Sequence, residues 1–182
     1  MKVFIVPDIH LKPWMIEKAE ELIDDTLCEK IMFLGDIADD WGQQENPALY
    51  KETYDKVVSF MKSHQNTLFC YGNHDIAYVW GTTQTGYSHN PEVREVVING
   101  LQAIKTTLPD GACAFIHKIG DTLFSHGGLT ESFVIDVWPS NTPVYTMIND
   151  INQWGKPLLW RDNSPIWGTT PEYFQWEQTI ST

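Results

Sequence analysis

Lys2-Val3-Phe4-Ile5-Val6-Pro7-Asp8-Ile9-His10 shows a pattern that the first 75 residues repeat: a short apolar run, a breaker, then side chains able to bind cations. Val3 to Val6 are β-branched or aromatic and read as a buried strand, which proline ends because it brings no N–H to a ladder. Lys30-Ile31-Met32-Phe33-Leu34 is a second such run, stopped at Gly35 and followed by Asp36-Ile37-Ala38-Asp39. Thr67-Leu68-Phe69-Cys70-Tyr71 is a third, stopped at Gly72 and followed by Asn73-His74-Asp75. Between the runs, residues 14–27 place Ile16, Ala19, Leu22, Ile23 and Leu27 on one helical face. Asn46-Pro47 makes a cap and first turn for a helix carrying Tyr50, Tyr54, Val57, Val58 and Met61 at helical spacing.

Strand, helix, strand, helix, strand implies parallel neighbours with helices packed on the sheet faces. It also brings three loops, distant in sequence, to one rim beyond the carboxyl ends of the strands, where ligands gather in such sheets. Past residue 75, Pro91 to Ile104 reads as a helix interrupted by Gly100. Ala114 to Ile119 and Thr122 to Ser125 read as strands joined by Gly120-Asp121, a hairpin signal. Thr142 to Trp154 reads as a further helix. With no repeat, low-complexity tract or linker, residues 1–182 form one expected domain.

At 182 residues the chain is long enough to bury roughly 70% of its unfolded surface, so it needs no disulfide staples. Cys28, Cys70 and Cys113 form no CxxC pair and cannot all pair internally, which fits a reducing cytoplasm. No run approaches the ~20 apolar residues that span a bilayer, and no secretory leader is expected. The net charge of −12 weighs against nucleic acid and anionic membranes as partners, although acidity for solubility alone explains it equally.

Four fragments carry the chemistry: Asp8-Ile9-His10, Gly35-Asp36-Ile37-Ala38-Asp39, Gly72-Asn73-His74-Asp75 and Ser125-His126-Gly127-Gly128. Their oxygen and imidazole donors suit Mn, Fe, Zn or Mg rather than thiophilic metals. Asp8 and His10, one residue apart, can point to the same side of an extended strand end. Asp36 can bridge two cations, one per carboxylate oxygen. Read singly, each fragment has an ordinary alternative: a turn at Asp8-Ile9-His10, a strand-ending turn at Gly35-Asp36, a helix cap at Asn73. Their order on successive strand ends is what argues for a site. His117, in the middle of an expected strand, reads as structural, and His64 and His89, in polar surroundings, as solvated.

In that order the fragments resemble the calcineurin-like metallophosphoesterases, nearest the Ser/Thr protein phosphatase branch and its bacterial and phage relatives. The shared wording is DxH, GDxxD, GNH[D/E] and HGG, and it covers residues 1 to about 130. The resemblance implies two stacked mixed β-sheets flanked by helices, with a dimetal site at the top. It implies that Asp8 and His10 hold one divalent ion, that Asp36 bridges, and that Asn73 and His126 hold a second. His74 would protonate the leaving alkoxide, oriented by Asp39, while a water bridging the two metals attacks phosphorus. Manganese is the first choice of metal, with Fe, Zn or Mg as alternatives. The implied activity is hydrolysis of phosphate monoesters on a phosphoprotein or small phosphorylated substrate. Hydrolysis of nucleotide polyphosphates and a non-catalytic metal-binding module are the alternatives.

The chain departs from that pattern in two places. An arginine that grips phosphate follows the second aspartate in the phosphatase pattern; here the position is Asp40. Arg161 is a substitute candidate for the substrate phosphate, beside Asn73, or else a surface partner of Asp162 or Glu172. No histidine follows His126, whereas the family closes its second metal shell with a later one. The expectation is therefore a domain truncated before its last metal ligand and its C-terminal strands, with a weak second metal site. Trp138, Trp154, Trp160, Trp167 and Trp176 crowd the C-terminal segment and read as packing for the second sheet, or as a substrate floor.

Overall fold

A computed structural model describes residues 1–23, 27–81 and 86–159, with side chains inside the last helix described as far as residue 153. Arg161, Trp160, Trp167, Trp176 and the side chain of Trp154 lie outside the described residues. Among these, the strands are β1 (Val3–Val6), β2 (Lys30–Phe33), β3 (Thr67–Cys70), β4 (Cys113–Ala114), β5 (Ile116–Ile119) and β6 (Thr122–Ser125). The helices are α1 (Trp14–Ile23), α2 (Pro47–Ser63), α3 (Asn73–Trp80), α4 (Pro91–Thr107), α5 (Glu131–Val137) and α6 (Val144–Leu159). The class is α/β with two sheets and flanking helices, as the resemblance implies, but among the described residues neither sheet is mixed: one is parallel and the other antiparallel.

The first sheet has the order β1-β2-β3-β4 and is parallel throughout, with Val3 opposite Lys30 and Ile31 opposite Thr67. Its apolar strands pack against α1, α2 and α4 through Ile31, Phe33, Phe69, Tyr50, Val57, Val97 and Ile104, all at most 1% exposed. Burying one such side chain contributes ~1.5–3 kcal/mol. The Asn46 side chain caps α2 by accepting from the Leu49 N–H at 3.2 Å, and Pro47 follows, as the sequence signals. Helix α1 ends at Ile23, short of the expected residue 27: Ile16, Ala19 and Ile23 are buried, Leu22 is exposed, and Leu27 lies exposed outside the helix.

One expected strand is two. Residues 114–119 break at Phe115, where the chain leaves the parallel sheet as β4 and enters the antiparallel β5–β6 hairpin. Asn152 of α6 holds the crossing. Its Oδ1 accepts from the Phe115 and Ile116 N–H groups at 2.9 and 3.1 Å, and its Nδ2 donates to the Ile116 carbonyl at 2.9 Å. A remote amide thus supplies what the strand ladder loses there. Under the hairpin lies a second core of Ile76, Phe115, Ile116, Phe133, Trp138, Met147 and Ile151. Trp138, at least, packs: it meets Phe133 edge-on and donates to Asp150 at 2.9 Å.

His117 is structural. It is buried, and its Nε2–H donates at 3.1 Å to the Phe69 carbonyl, tying the hairpin to β3. His64 is not simply solvated: its ring stacks on Phe60 at 4.4 Å and its Nδ1 meets the Phe60 carbonyl at 3.0 Å, closing the end of α2. His89 is exposed, as expected. Gly100 does not interrupt α4. It sits where α2 crosses, and a Cβ there would lie 2.3 Å from the Tyr54 ring.

Gly100→Ala gains ~1 kcal/mol of helix propensity but overpacks a contact that has nowhere to go, a cost of ~1–3 kcal/mol. A net loss of stability is expected in urea denaturation, and an unchanged or raised midpoint would contradict the packing. Burial lowers the pKa of His117, against an opposing contribution from its bond to Phe69. Below the ordinary histidine value of ~6.5 the unfolded chain then binds a proton that the folded chain excludes. The stability due to neutral His117 is therefore complete above that value and is lost as pH falls. The stability gap between wild type and His117→Gln should narrow from pH ~7.5 to ~5.

Candidate metal centre

The three parallel strands end side by side, so the loops after them meet, and backbone hydrogen bonds stitch them together. The Ile9 and His10 N–H groups both donate to the Asp36 carbonyl, at 3.0 and 2.9 Å, and Leu11 donates to the Ile37 carbonyl at 3.0 Å. These loops turn through the left-handed region at His10 (φ 43°), Leu11 (54°), Asp36 (49°) and Asp39 (62°). Each such residue costs ~1–3 kcal/mol, so the rest of the fold must hold them there. Glycine is required where the loops cross. A Cβ on Gly72 would lie 2.1 Å from Asp36 Oδ1, and one on Gly35 would lie 2.4 Å from the Gly72 nitrogen.

The five side chains expected to bind metal converge. Donor atoms of Asp8, His10 and Asp36 lie within 4.8 Å of one another. Asp36 Oδ2 is 3.7 Å from His10 Nε2 and 3.3 Å from His126 Nε2. His126 Nε2 is 2.9 Å from Asn73 Oδ1. Two donor sets therefore share Asp36: one with Asp8 and His10, the other with Asn73 and His126. The two oxygens of Asp36 have different surroundings. Asp36 Oδ1 accepts the His74 backbone N–H at 2.9 Å, and Oδ2 is the oxygen that faces both histidines.

These residues fit a cation on their own chemistry. His10 Nδ1 meets the Asp39 and Ala38 carbonyls at 2.8 and 3.1 Å, and His126 Nδ1 meets the Leu34 carbonyl at 2.9 Å. Carbonyls only accept, so each Nδ1 carries a proton and each Nε2 points inward, where it can offer a lone pair to a cation or hold a second proton. At His126 that nitrogen faces the oxygens of Asn73 and Asp36. Asn73 Nδ2 is buried without a hydrogen-bond partner, so the amide hydrogens do not explain its orientation. Converging oxygens need positive charge, from a cation or, in its absence, from a proton on His126 Nε2. Burial disfavours the His126 imidazolium, yet the Asp36 and Asp8 carboxylates overcome it and push its pKa up to about 10. Burial also works against ionised Asp36, but His126 outweighs it and holds the pKa below the usual carboxylate range.

His74 and Asp39 form the pair that the motifs imply. His74 Nδ1–H donates to Asp39 Oδ2 at 2.8 Å, and the His74 ring meets the His10 ring edge-on at 5.3 Å. Burial opposes the His74 imidazolium, and the Asp39 hydrogen bond with the Asp36 and Asp39 charges raises its pKa above the ordinary histidine value.

Four further residues belong to this site. The hydroxyls of Tyr50 and Tyr78 both donate to Asp39 Oδ1, and burial followed by the Asp39 charge and hydrogen bond keeps them protonated. Asp75 is fully buried, and its Oδ1 accepts from the Ile37 and Ala38 N–H groups at 2.9 and 3.1 Å and from the Tyr54 hydroxyl at 3.2 Å. Burial, with the nearby Asp36 charge, raises the Asp75 pKa to about 6. Helical spacing marks Tyr50 and Tyr54 only as core. The signal is that a buried tyrosine needs a partner for its hydroxyl. Asp75 is visible in the sequence beside His74, but nothing local shows that it clamps a loop nearly forty residues earlier.

A parallel sheet with paired carboxylate–imidazole donor sets at its strand ends, and a carboxylate-held histidine beside them, defines the metal-dependent phosphoester hydrolase class. The profile of the calcineurin-like phosphoesterase family matches residues 1–178, and the chain belongs to that family. Comparison with curated proteins and with solved structures finds no match. Family membership implies divalent metal binding and metal-dependent phosphoester hydrolysis.

Gly72→Ala should drive Asp36 out of place while leaving both cores untouched. Divalent-cation affinity, followed by calorimetry, is expected to fall ~10–100-fold with the far-ultraviolet circular dichroism preserved. Wild-type affinity in that variant would mean that Asp36 does not set the site.

Proposed function

We propose that the chain hydrolyses phosphate monoesters, of a phosphoprotein or a small phosphorylated molecule, with His74 as general acid. Asp8, His10 and Asp36 would hold one divalent cation, and Asp36, Asn73 and His126 a second. Manganese suits this mixed oxygen and imidazole set and is the ion to load first. When bound, the cations would neutralise phosphoryl oxygens and acidify the attacking water.

The chain's own part is proton delivery. Asp39 accepts the hydrogen bond from His74 Nδ1–H, which leaves Nε2–H to face the leaving oxygen. As the bond from phosphorus to water oxygen forms and the bond to the leaving oxygen breaks, His74 Nε2–H passes its proton to that oxygen. Tyr50 and Tyr78 keep Asp39 fixed and unable to swing toward the cations. The observation that carries the reading is the His74–Asp39 hydrogen bond of 2.8 Å beside the two donor sets. A metal-storage site has no use for an oriented acid there.

The test is turnover of the manganese-loaded protein on two esters, phenyl phosphate with a poor leaving group and 2,4-dinitrophenyl phosphate with a good one. His74→Gln should lower kcat on the first by ~10²–10⁴ and on the second far less, because a good leaving group needs no proton. Asp36→Asn should abolish turnover of both. Equal losses on the two esters in His74→Gln would remove the general-acid role, and turnover indifferent to Asp36→Asn would remove the reading.

A further inference from the structure

Beside His10, at the rim of the metal centre, a lysine is held by a carboxylate. Lys12 Nζ donates to the His10 carbonyl at 3.0 Å and lies 3.1 Å from Asp40 Oδ2. Both ends of the pair are anchored. The Lys12 N–H bonds the Ile9 carbonyl at 3.1 Å, inside the stitched turn that also fixes His10. Asp40 Oδ1 accepts the Trp41 N–H at 3.0 Å, and the Asp40 carbonyl accepts from Gln43 at 3.1 Å. The pair itself is open to water, with side chains 39% and 30% exposed. Such a pair is weak and exchanges partners readily. Among the described residues, Lys12 is the lysine or arginine side chain with a contact to the site loops, which carry the carboxylates Asp8, Asp36, Asp39 and Asp40.

We propose that Lys12 binds the substrate phosphate, leaving Asp40 for the third phosphoryl oxygen of a phosphomonoester, and so makes the site prefer monoester dianions over diesters. The inference rests on the hydrolase reading above. A monoester dianion has three non-bridging oxygens and two negative charges, whereas a diester has two such oxygens and one charge. Two oxygens suffice to span two cations. The third needs a donor at the rim, and Lys12 reaches the rim on a flexible four-carbon stem with three N–H donors, two of them accounted for by His10 and Asp40. Asp40 keeps the lysine in place when substrate is absent, and a dianion outcompetes it. Asp40 therefore acts as a stand-in for substrate and weakens the grip by competition.

Two measurements on the manganese-loaded protein test this. The first is the dissociation constant of inorganic phosphate by calorimetry. The second is kcat/KM for p-nitrophenyl phosphate relative to bis(p-nitrophenyl) phosphate. Lys12→Met should weaken phosphate binding about tenfold, one charge-assisted hydrogen bond, and lower the monoester-to-diester ratio by a similar factor. Lys12→Arg should retain most of both. Asp40→Asn should tighten phosphate binding about threefold, a gain that disappears when Lys12→Met is added. Phosphate affinity and ester ratio within twofold of wild type in a folded Lys12→Met would overturn the proposal, and so would equal effects of Lys12→Met and Lys12→Arg. A chain that turns over neither ester yet binds phosphate in a Lys12-dependent way would refute the hydrolase reading and keep the anion site.

Discussion

Asp36 is a carboxylate with 3% of its surface exposed, and the centre is organised around keeping it ionised there. A buried charge without partners is among the most costly features a fold can contain. Three kinds of partner offset that cost here. The His74 N–H donates to one oxygen, the imidazoles of His10 and His126 face the other, and a cation between them would complete the compensation. Each partner arrives on a different strand-end loop, so the carboxylate can be satisfied only when β1, β2, β3 and β6 are all in place. The site and the sheet are consequently one structure. Losing the register of one strand would leave a buried charge unpaired.

The same constraint explains the unusual backbone around it. Asp36, Asp39 and His10 occupy left-handed conformations that non-glycine residues avoid, and all three are needed for their side chains rather than their backbone freedom. The strain is held by groups further out. Asp75 gathers two N–H groups of the Asp36 loop and is itself held by Tyr54. Tyr54 in turn rests on the space left by Gly100, at the crossing of α2 and α4. A chain of contacts thus runs from a helix–helix crossing to the loop that carries Asp36. Asp39 is supported in the same way by Tyr50 and Tyr78, which turn the polar tips of two core residues toward the chemistry.

Tyr78 extends this support to a further loop. Its hydroxyl accepts the Ser88 N–H at 2.9 Å while donating to Asp39, and its ring stacks on Tyr87 at 4.1 Å. Gly86, two residues earlier, passes close to the His74 ring, with space for a Cβ at 3.7 Å from Cε1. The segment that follows α3 is therefore tied to the general-acid pair through one phenol. Rigidity around His74 comes from three directions, two of them tyrosines on different helices.

Much of this was legible in the residues alone. The alternation of apolar runs with amphipathic segments determined a parallel sheet with covered faces, because buried strands and helices leave periodicities of their own. The breakers after each run, and the donors after each breaker, identified Asp8, His10, Asp36, Asn73 and His126 as members of one rim, along with His74 and Asp39. What the sequence could not specify were interactions between residues far apart in the chain with no shared local pattern. The break at Phe115 depends on Asn152, thirty-seven positions on; the engagement of one Asp36 oxygen depends on the His74 N–H; the pairing of Lys12 with Asp40 depends on two loops crossing. Local sequence determines which atoms can donate, accept or be buried. Which of them meet is decided by the packing of distant segments, where the energy of each polar contact depends on what else the fold has excluded from it.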